Sequence, residues 1–261
     1  MRRFFFILFL LSLSNAYADE ECCYHFLPIY KASIGPEIYH VKRVREGGTS
    51  QHGCLYGVHG SFERLGRFKW YIGFEGLYGK GTINGHSGMG LKLKSALTDR
   101  FIEGRFGYTF QAKCHYTPSF TPFIGYGYSD ETNQYKSPSP LIVKFIHESS
   151  YVSFGFLSEI TLGDKFSAGF NLKMRSLVDP ICKVKKDQVF GSLKMHIHEK
   201  MQYRFELPLK LAIFHECHVF EVGIISFYEI RHYGGRENYP FDFLDTKLRL
   251  FGASFQLSYR F

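Results

Sequence analysis

The last residues of the chain, Phe255-Gln256-Leu257-Ser258-Tyr259-Arg260-Phe261, put an apolar side chain on every second position up to the end. Alternation of period two marks a strand with one apolar face. A solvated, fraying terminus gives such a face nothing to pack against. The pattern makes physical sense when the face meets lipid and the strand is paired on both edges, because hydrocarbon offers no partner to a free backbone group. The expectation is therefore an all-β chain closed into a transmembrane antiparallel up-and-down barrel.

The other end of the chain agrees. Met1-Arg2-Arg3 is basic, Phe4 to Leu13 is apolar, and Ala16-Tyr17-Ala18 fits a small-x-small cleavage site. Together these predict a secretory signal peptide, since the run is half the length that a spanning helix needs. The expected organisation is a signal peptide at 1–18, a periplasmic N-terminal tail at 19–35 and an outer-membrane barrel at 36–261. Cleavage leaves 261 − 18 = 243 residues, suited to one barrel or one large sandwich. Aromatic residues make up 18% of the chain, yet its mean hydropathy is −0.15. Apolar residues facing lipid and polar ones facing a lumen average out in this way. Losing Arg2 and Arg3 takes the formal charge from +8 to +6. That excess suits anionic lipopolysaccharide or host polyanions. No basic motif points to nucleic acid.

Ten segments carry the alternation. Among the clearest, Phe68, Trp70, Ile72 and Phe74 alternate with Lys69, Tyr71, Gly73 and Glu75, and Phe166 to Arg175 is apolar on even numbers. The first strand is expected at about 36–46. Short links at 64–67, 112–117, 162–163 and 214–216 alternate with longer ones at 80–92, 130–148, 177–199 and 233–245, with 46–50 as a compact hairpin. This parity predicts ten strands with both termini periplasmic. Pairing of Leu141-Ile142-Val143 is the route to twelve.

Two stretches carry a family resemblance. Arg105-Phe106-Gly107-Tyr108-Thr109-Phe110 followed by Thr121-Pro122-Phe123-Ile124-Gly125-Tyr126-Gly127-Tyr128 resembles a strand pair of small outer-membrane barrels of the OmpA-like, OmpW-like and opacity types. The final strand resembles the signal read by the barrel-assembly machinery, carried by Gly252, Phe255, Leu257, Tyr259 and Phe261, although Leu250 stands where a polar residue is usual. The resemblance implies fold and compartment. One barrel hosts structural, adhesive, pore and enzymatic roles, so it does not imply a function.

The inner face gathers both signs of charge. Glu63, Glu75, Glu103, Glu159, Glu206, Glu221 and Glu229 share it with Lys69, Arg105, Lys173, Arg175, Arg204, Lys210 and Arg231. In a narrow tube these are expected to pair and fill the lumen, because buried ions need partners. A narrow porin is the alternative. A protease of the omptin type would resemble the chain in strand number, but the sequence offers neither the Asp pair nor the Asp-His pair it needs at the outer rim. His86-Ser87, His232, Asp242 and Asp245 are raw material for a lipid-modifying site without a flanking motif. His196, His198 and Glu199 lack a third fixed metal ligand. No enzyme, cofactor or metal is expected from these residues.

Six cysteines in an exported chain suggest disulfides. Cys22, Cys23, Cys114 and Cys217 gather at the expected periplasmic rim, where they would staple the tail or link it to other envelope proteins. Cys54 and Cys182 are candidates for an outer bridge. Such barrels resemble the disulfide-linked envelopes of chlamydia-like bacteria. Outer links rich in Lys, Arg and aromatic residues point to lipopolysaccharide or a host surface as partners. The expected role is structural or adhesin-like.

Overall fold

The computed structural model describes residues 30–65, 70–112, 117–140, 142–163, 165–188, 191–215, 218–235 and 244–260. The expected signal peptide, Cys22, Cys23, Lys69, Cys114, Cys217 and Phe261 lie outside the described residues.

Thirteen strands form one antiparallel sheet: β1 (Tyr30–Arg45), β2 (Thr49–Leu65), β3 (Trp70–His86), β4 (Lys92–Tyr108), β5 (Phe110–Gln111), β6 (Ser119–Lys136), β7 (Lys144–Leu162), β8 (Phe166–Gly169), β9 (Asn171–Asp187), β10 (Gly191–His196), β11 (Met201–His215), β12 (His218–Tyr233) and β13 (Thr246–Arg260). Ten of them make the wall, and β13 pairs with β1 to close it. The other three are accessory. β5 follows β4 on the edge of β6, β8 shares the wall position of β9, and β10 folds back on β9 at the end of the long links. Residues 142–143 belong to the link before β7, so no twelfth wall strand forms there.

Wall strands begin earlier and run further than the alternation alone suggested. β1 starts at Tyr30, ahead of the boundary expected at 36. Gly35 and Pro36 read as a break, and pairing with β13 does lapse there, between Ile34↔Leu257 and Glu37↔Ser254. Proline has no N–H to donate. Gly35 lets the Phe255 carbonyl approach where a Cβ would stand. The partnership with β2 continues through both residues, so the strand survives. Much of 80–92, 130–148 and 177–199, expected as links, is likewise wall.

The wall strands span 15 to 19 residues, against about 9–11 needed to cross a bilayer. The excess is marked by an inversion of polarity at constant pleat. In β13, Phe251, Phe255 and Leu257 point outward and Ser254, Gln256 and Ser258 inward; nearer the long links, Lys247 and Arg249 point outward and Leu248 and Leu250 inward. β1 repeats this, with Ile34 and Ile38 exposed over buried Ser33 and Glu37, then His40 and Lys42 exposed over buried Tyr39 and Val41. One half of the barrel is apolar outside and polar inside, as lipid requires. The other half is built like a soluble protein, with a core of Val41, Leu55, Ile83, Leu97, Val184, Leu248 and Leu250 filling the tube. Leu250, out of place as a polar position of an assembly signal, belongs to that core at 2% exposure. No described helix is long and apolar enough to cross a membrane, which says nothing of a β-barrel.

Inward tyrosines lie over inward glycines. Tyr39 covers Gly79, Tyr71 covers Gly73 and Tyr151 covers Gly127, each occupying the space of a Cβ. The arrangement delivers hydroxyls to acids: Tyr39 donates to Asp99 at 3.0 Å and Tyr71 to Glu63 at 2.9 Å. Gly79→Val displaces the Tyr39 ring and breaks its bond to Asp99. It is expected to cost about 1–3 kcal/mol, seen as a lower temperature for losing the compact unboiled band on an SDS gel. Unchanged heat resistance refutes the ring-on-glycine account.

Candidate functional site in the lumen and at the rim

The membrane-sized half of the lumen is occupied by ions. Glu229 on β12 accepts from Arg231 at 2.7 Å, Arg175 at 2.9 Å and Arg204 at 3.0 Å. From this hub the pairs run both ways. Towards the long links, Arg231 reaches Asp99 at 2.7 Å and Glu131 at 4.0 Å, and Glu131 holds Arg43 at 3.3 Å. Towards the short turns, Arg175 lies 3.7 Å from Glu103, which binds Arg105 at 2.6 Å and Lys173 at 3.4 Å. Glu75 then binds both Arg105 and Lys173, with His59 at 3.8 Å. Arg204 also holds Glu206 at 2.7 Å and Glu37 at 3.6 Å. A second group closes the short-turn end: Lys31 to Glu221 at 3.2 Å and to Glu63 at 3.9 Å, Arg260 to Glu159 at 3.6 Å and to Glu221, and Lys210 to Glu159.

Apart from Lys69, which lies outside the described residues, every charged lumen residue named from the sequence takes part in one of these two groups. Sequence reasoning missed Lys31, Glu37, Arg43, His59, Asp99 and Glu131. Lys31 preceded the expected first strand. Glu131 sat in a stretch taken for a link. For these two the missing signal was strand length, whereas Glu37, Arg43, His59 and Asp99 lay inside expected strands. Aromatic rings separate the cations: Arg204 lies 4.0 Å from the Phe227 ring centre, and Arg175 lies 4.7 Å from Phe101 and 5.0 Å from Tyr151. Cation–π contact adds attraction where water is excluded.

The rim holds two His–Asp pairs, which corrects the expectation of none there; His232 and Asp245, named from the sequence as raw material, form one of them. His232 Nε2 and Asp245 Oδ2 are 3.1 Å apart, and His196 Nδ1 and Asp179 Oδ1 are 2.6 Å apart. Asp245 also accepts from the Gly235 N–H, so it clasps both ends of the last link. Partial burial raises its pKa, while the bonds from Gly235 and His232 outweigh that and hold it below the usual carboxylate range. Ser87 is spent on its turn, accepting from the Leu91 N–H at 3.1 Å. His198 packs against Gly234, and Glu199 accepts from the Asp179 N–H at 3.4 Å. Among the described residues, no group of three or more His, Cys, Asp or Glu side chains is arranged to hold a metal.

The expected outer bridge is corrected. Cys54 and Cys182 are both free thiols. Cys54 points out of the wall beside His40, whereas Cys182 points inward at 0% exposure beside His147. They stand on β2 and β9, five wall strands apart, and on opposite pleat faces, so the two sulfurs cannot meet.

No family model matches the chain, and no curated protein does. Solved structures do match. The outer-membrane protease OmpT from Escherichia coli superposes with a TM-score of 0.58 at 10% identity, over 92% of this chain and 99% of that one. The translocator domain of the autotransporter NalP from Neisseria meningitidis gives 0.47 at 8% identity, over 100% and 96%. OprG from Pseudomonas aeruginosa gives 0.38 at 10% identity, over 90% and 97%. The fold is thus that of outer-membrane β-barrels. The OmpT match also corrects the expectation of a non-enzyme: this architecture houses a protease, so the barrel does not exclude catalysis.

The hub makes a direct prediction. Glu229→Leu strands three guanidiniums in the lumen and is expected to cost about 3–5 kcal/mol. Urea unfolding of the detergent-solubilised barrel measures it; a loss below 1 kcal/mol would show that the hub is solvated.

Proposed function

We propose that the chain is a bacterial outer-membrane barrel with a sealed lumen, and that its role is structural and surface-interactive, adhesin-like, rather than solute passage. The carrying observation is the run of ion pairs from Arg43 to Glu206, overlaid by an apolar core across the rest of the tube. The large group sets the carboxylates of Glu37, Glu75, Asp99, Glu103, Glu131, Glu206 and Glu229 against Arg43, Arg105, Lys173, Arg175, Arg204 and Arg231. Near balance of sign leaves no ring of one charge among the described residues, such as an ion-selective pore uses. In this reading the short turns and termini face the periplasm, and the polar half of the wall stands outside. The terminal strand, through Gly252, Phe255, Leu257 and Tyr259, is the part offered to the assembly machinery.

Planar-bilayer recording of the refolded chain tests the seal. Silence at high protein load is expected. Discrete conductance steps would replace this reading with the narrow porin.

A second reading, hydrolysis at the rim, is favoured by the His232–Asp245 pair, because a carboxylate that orients an imidazole is the support a general base requires. Incubation with a peptide mixture decides it. Cleavage that His232→Ala reduces at least tenfold supports a catalytic rim, and cleavage indifferent to His232 removes this pair from consideration.

A further inference from the structure

Outward charges on the polar half of the wall are distributed unevenly. On the side of β4, β6, β7 and β9 the outward charges nearest the apolar belt are neutralised within the wall, Arg100 by Asp130 at 3.1 Å and Lys183 by Glu148 at 2.6 Å, while Lys94 opposite Lys136 and Lys144 opposite Lys185 stand further out along the strands. On the side of β13, β1 and β2 the pattern is different. Arg249 stands directly opposite Lys42, and Lys42 directly opposite His52, on adjoining strands. His40 lies on the same face, its ring centre 6.0 Å from that of His52. All four side chains are exposed, and none has a carboxylate partner among the described residues. Asp245, near the same rim, is already engaged by His232 and Gly235.

Like charges placed opposite each other across strands destabilise a sheet. Such a cluster is maintained at a cost unless something anionic covers it. Its height says what that is. Phe251, Ile38 and Tyr56 mark the edge of the continuous exposed apolar belt on the same three strands, with Val44 standing apart beyond Lys42. Arg249 follows Phe251 by two positions, His40 follows Ile38 by two, and Lys42 and His52 lie two positions further out. Two positions are about 7 Å along a strand, so the two cations, Arg249 and Lys42, and the imidazoles beside them lie at the level of lipid headgroups. They project from the flat wall rather than from link tips, where a soluble polyanion would be met first.

We propose that Arg249, Lys42, His40 and His52 form a docking surface for the phosphates of an outer-leaflet phosphorylated lipid, whose acyl chains run down the belt past Phe251, Ile38 and Tyr56. The surface rests on the membrane-spanning reading above and specifies its partner. Charge does the recognition here, because each cation near an anionic surface adds attraction that salt weakens.

The test uses the refolded full chain in zwitterionic detergent, with diphosphorylated lipid A as probe and its dephosphorylated form as control. The unboiled gel band of each sample reports independently that the barrel is folded. The wild type is expected to bind the phosphorylated lipid well above the control. The triple variant Lys42→Gln, His52→Gln, Arg249→Gln is expected to lose roughly thirtyfold in affinity, mainly through its two cations, with its band intact. Lys136→Gln, Lys144→Gln, Lys185→Gln, on the opposite wall, is expected to bind as the wild type does. Equal binding by the first triple, or equal binding of the dephosphorylated lipid, overturns the proposal. So does heparin binding tighter than lipid and lost with the same three residues, which reassigns the surface to a soluble glycan. Absence of a compact band in the wild type overturns the barrel reading itself.

Discussion

Backbone amides and carbonyls in hydrocarbon have only each other, and the seam between β13 and β1 is where this chain meets that demand. Its register runs from Lys31↔Arg260 to Arg45↔Thr246, lapsing only around Gly35 and Pro36. Without it, two edges would lie open in lipid, each unpaired group costing several kcal/mol. With it, every wall strand is held on both sides, the pleat is set, and each side chain is assigned to lumen or exterior. A ten-stranded tube is narrow enough that charges pointing inward must meet. The hub at Glu229 is thus a consequence of closure as much as of sequence.

Closure fixes direction, and the surroundings fix polarity. Where the exterior is lipid, apolar residues go outward and polar ones have only the lumen to occupy. Further out along the same strands the exterior is water, and the ordinary order of a soluble sheet returns. The change requires no bulge in β13, where it falls between Leu250 and Phe251, both following the same pleat. Two ways of filling a tube result, one mainly ionic and one mainly apolar, and they overlap where Arg43 and Glu131 pair beside Val41 and Leu248.

The fold was legible because period two survives without knowledge of the partners, and because the parity of links orders the strands. The inner charges of the membrane half were legible for the same reason. Polarity inversion hid the rest. Val41, Ile83 and Leu248 alternate as cleanly as Ile34 or Leu257, but on the opposite face. A rule that sends apolar residues to lipid misassigns them, and it places polar-outward wall at 80–86 and 130–136 in links. Glu131 was lost with the second of these stretches. Pairing across the rim, as in His232 with Asp245, joins residues thirteen apart through a folded link and leaves no local pattern to read. Cys54 and Cys182 show the converse: both lie in the polar half, but on β2 and β9, five wall strands apart round the ring and on opposite pleat faces.

Strands of 15 to 19 residues leave a rigid collar beyond the belt rather than a fringe of loops. What an antibody meets on such a collar is a lattice of side chains from neighbouring strands, residues distant in sequence held one strand-width apart. Lys42, His52 and Arg249 belong to one such lattice point although 207 positions separate the first from the last, 249 − 42. Recognition of this surface is conformational by construction. Peptides copied from any single strand reproduce none of it, and an immune serum raised against the native barrel should fall silent on the boiled chain.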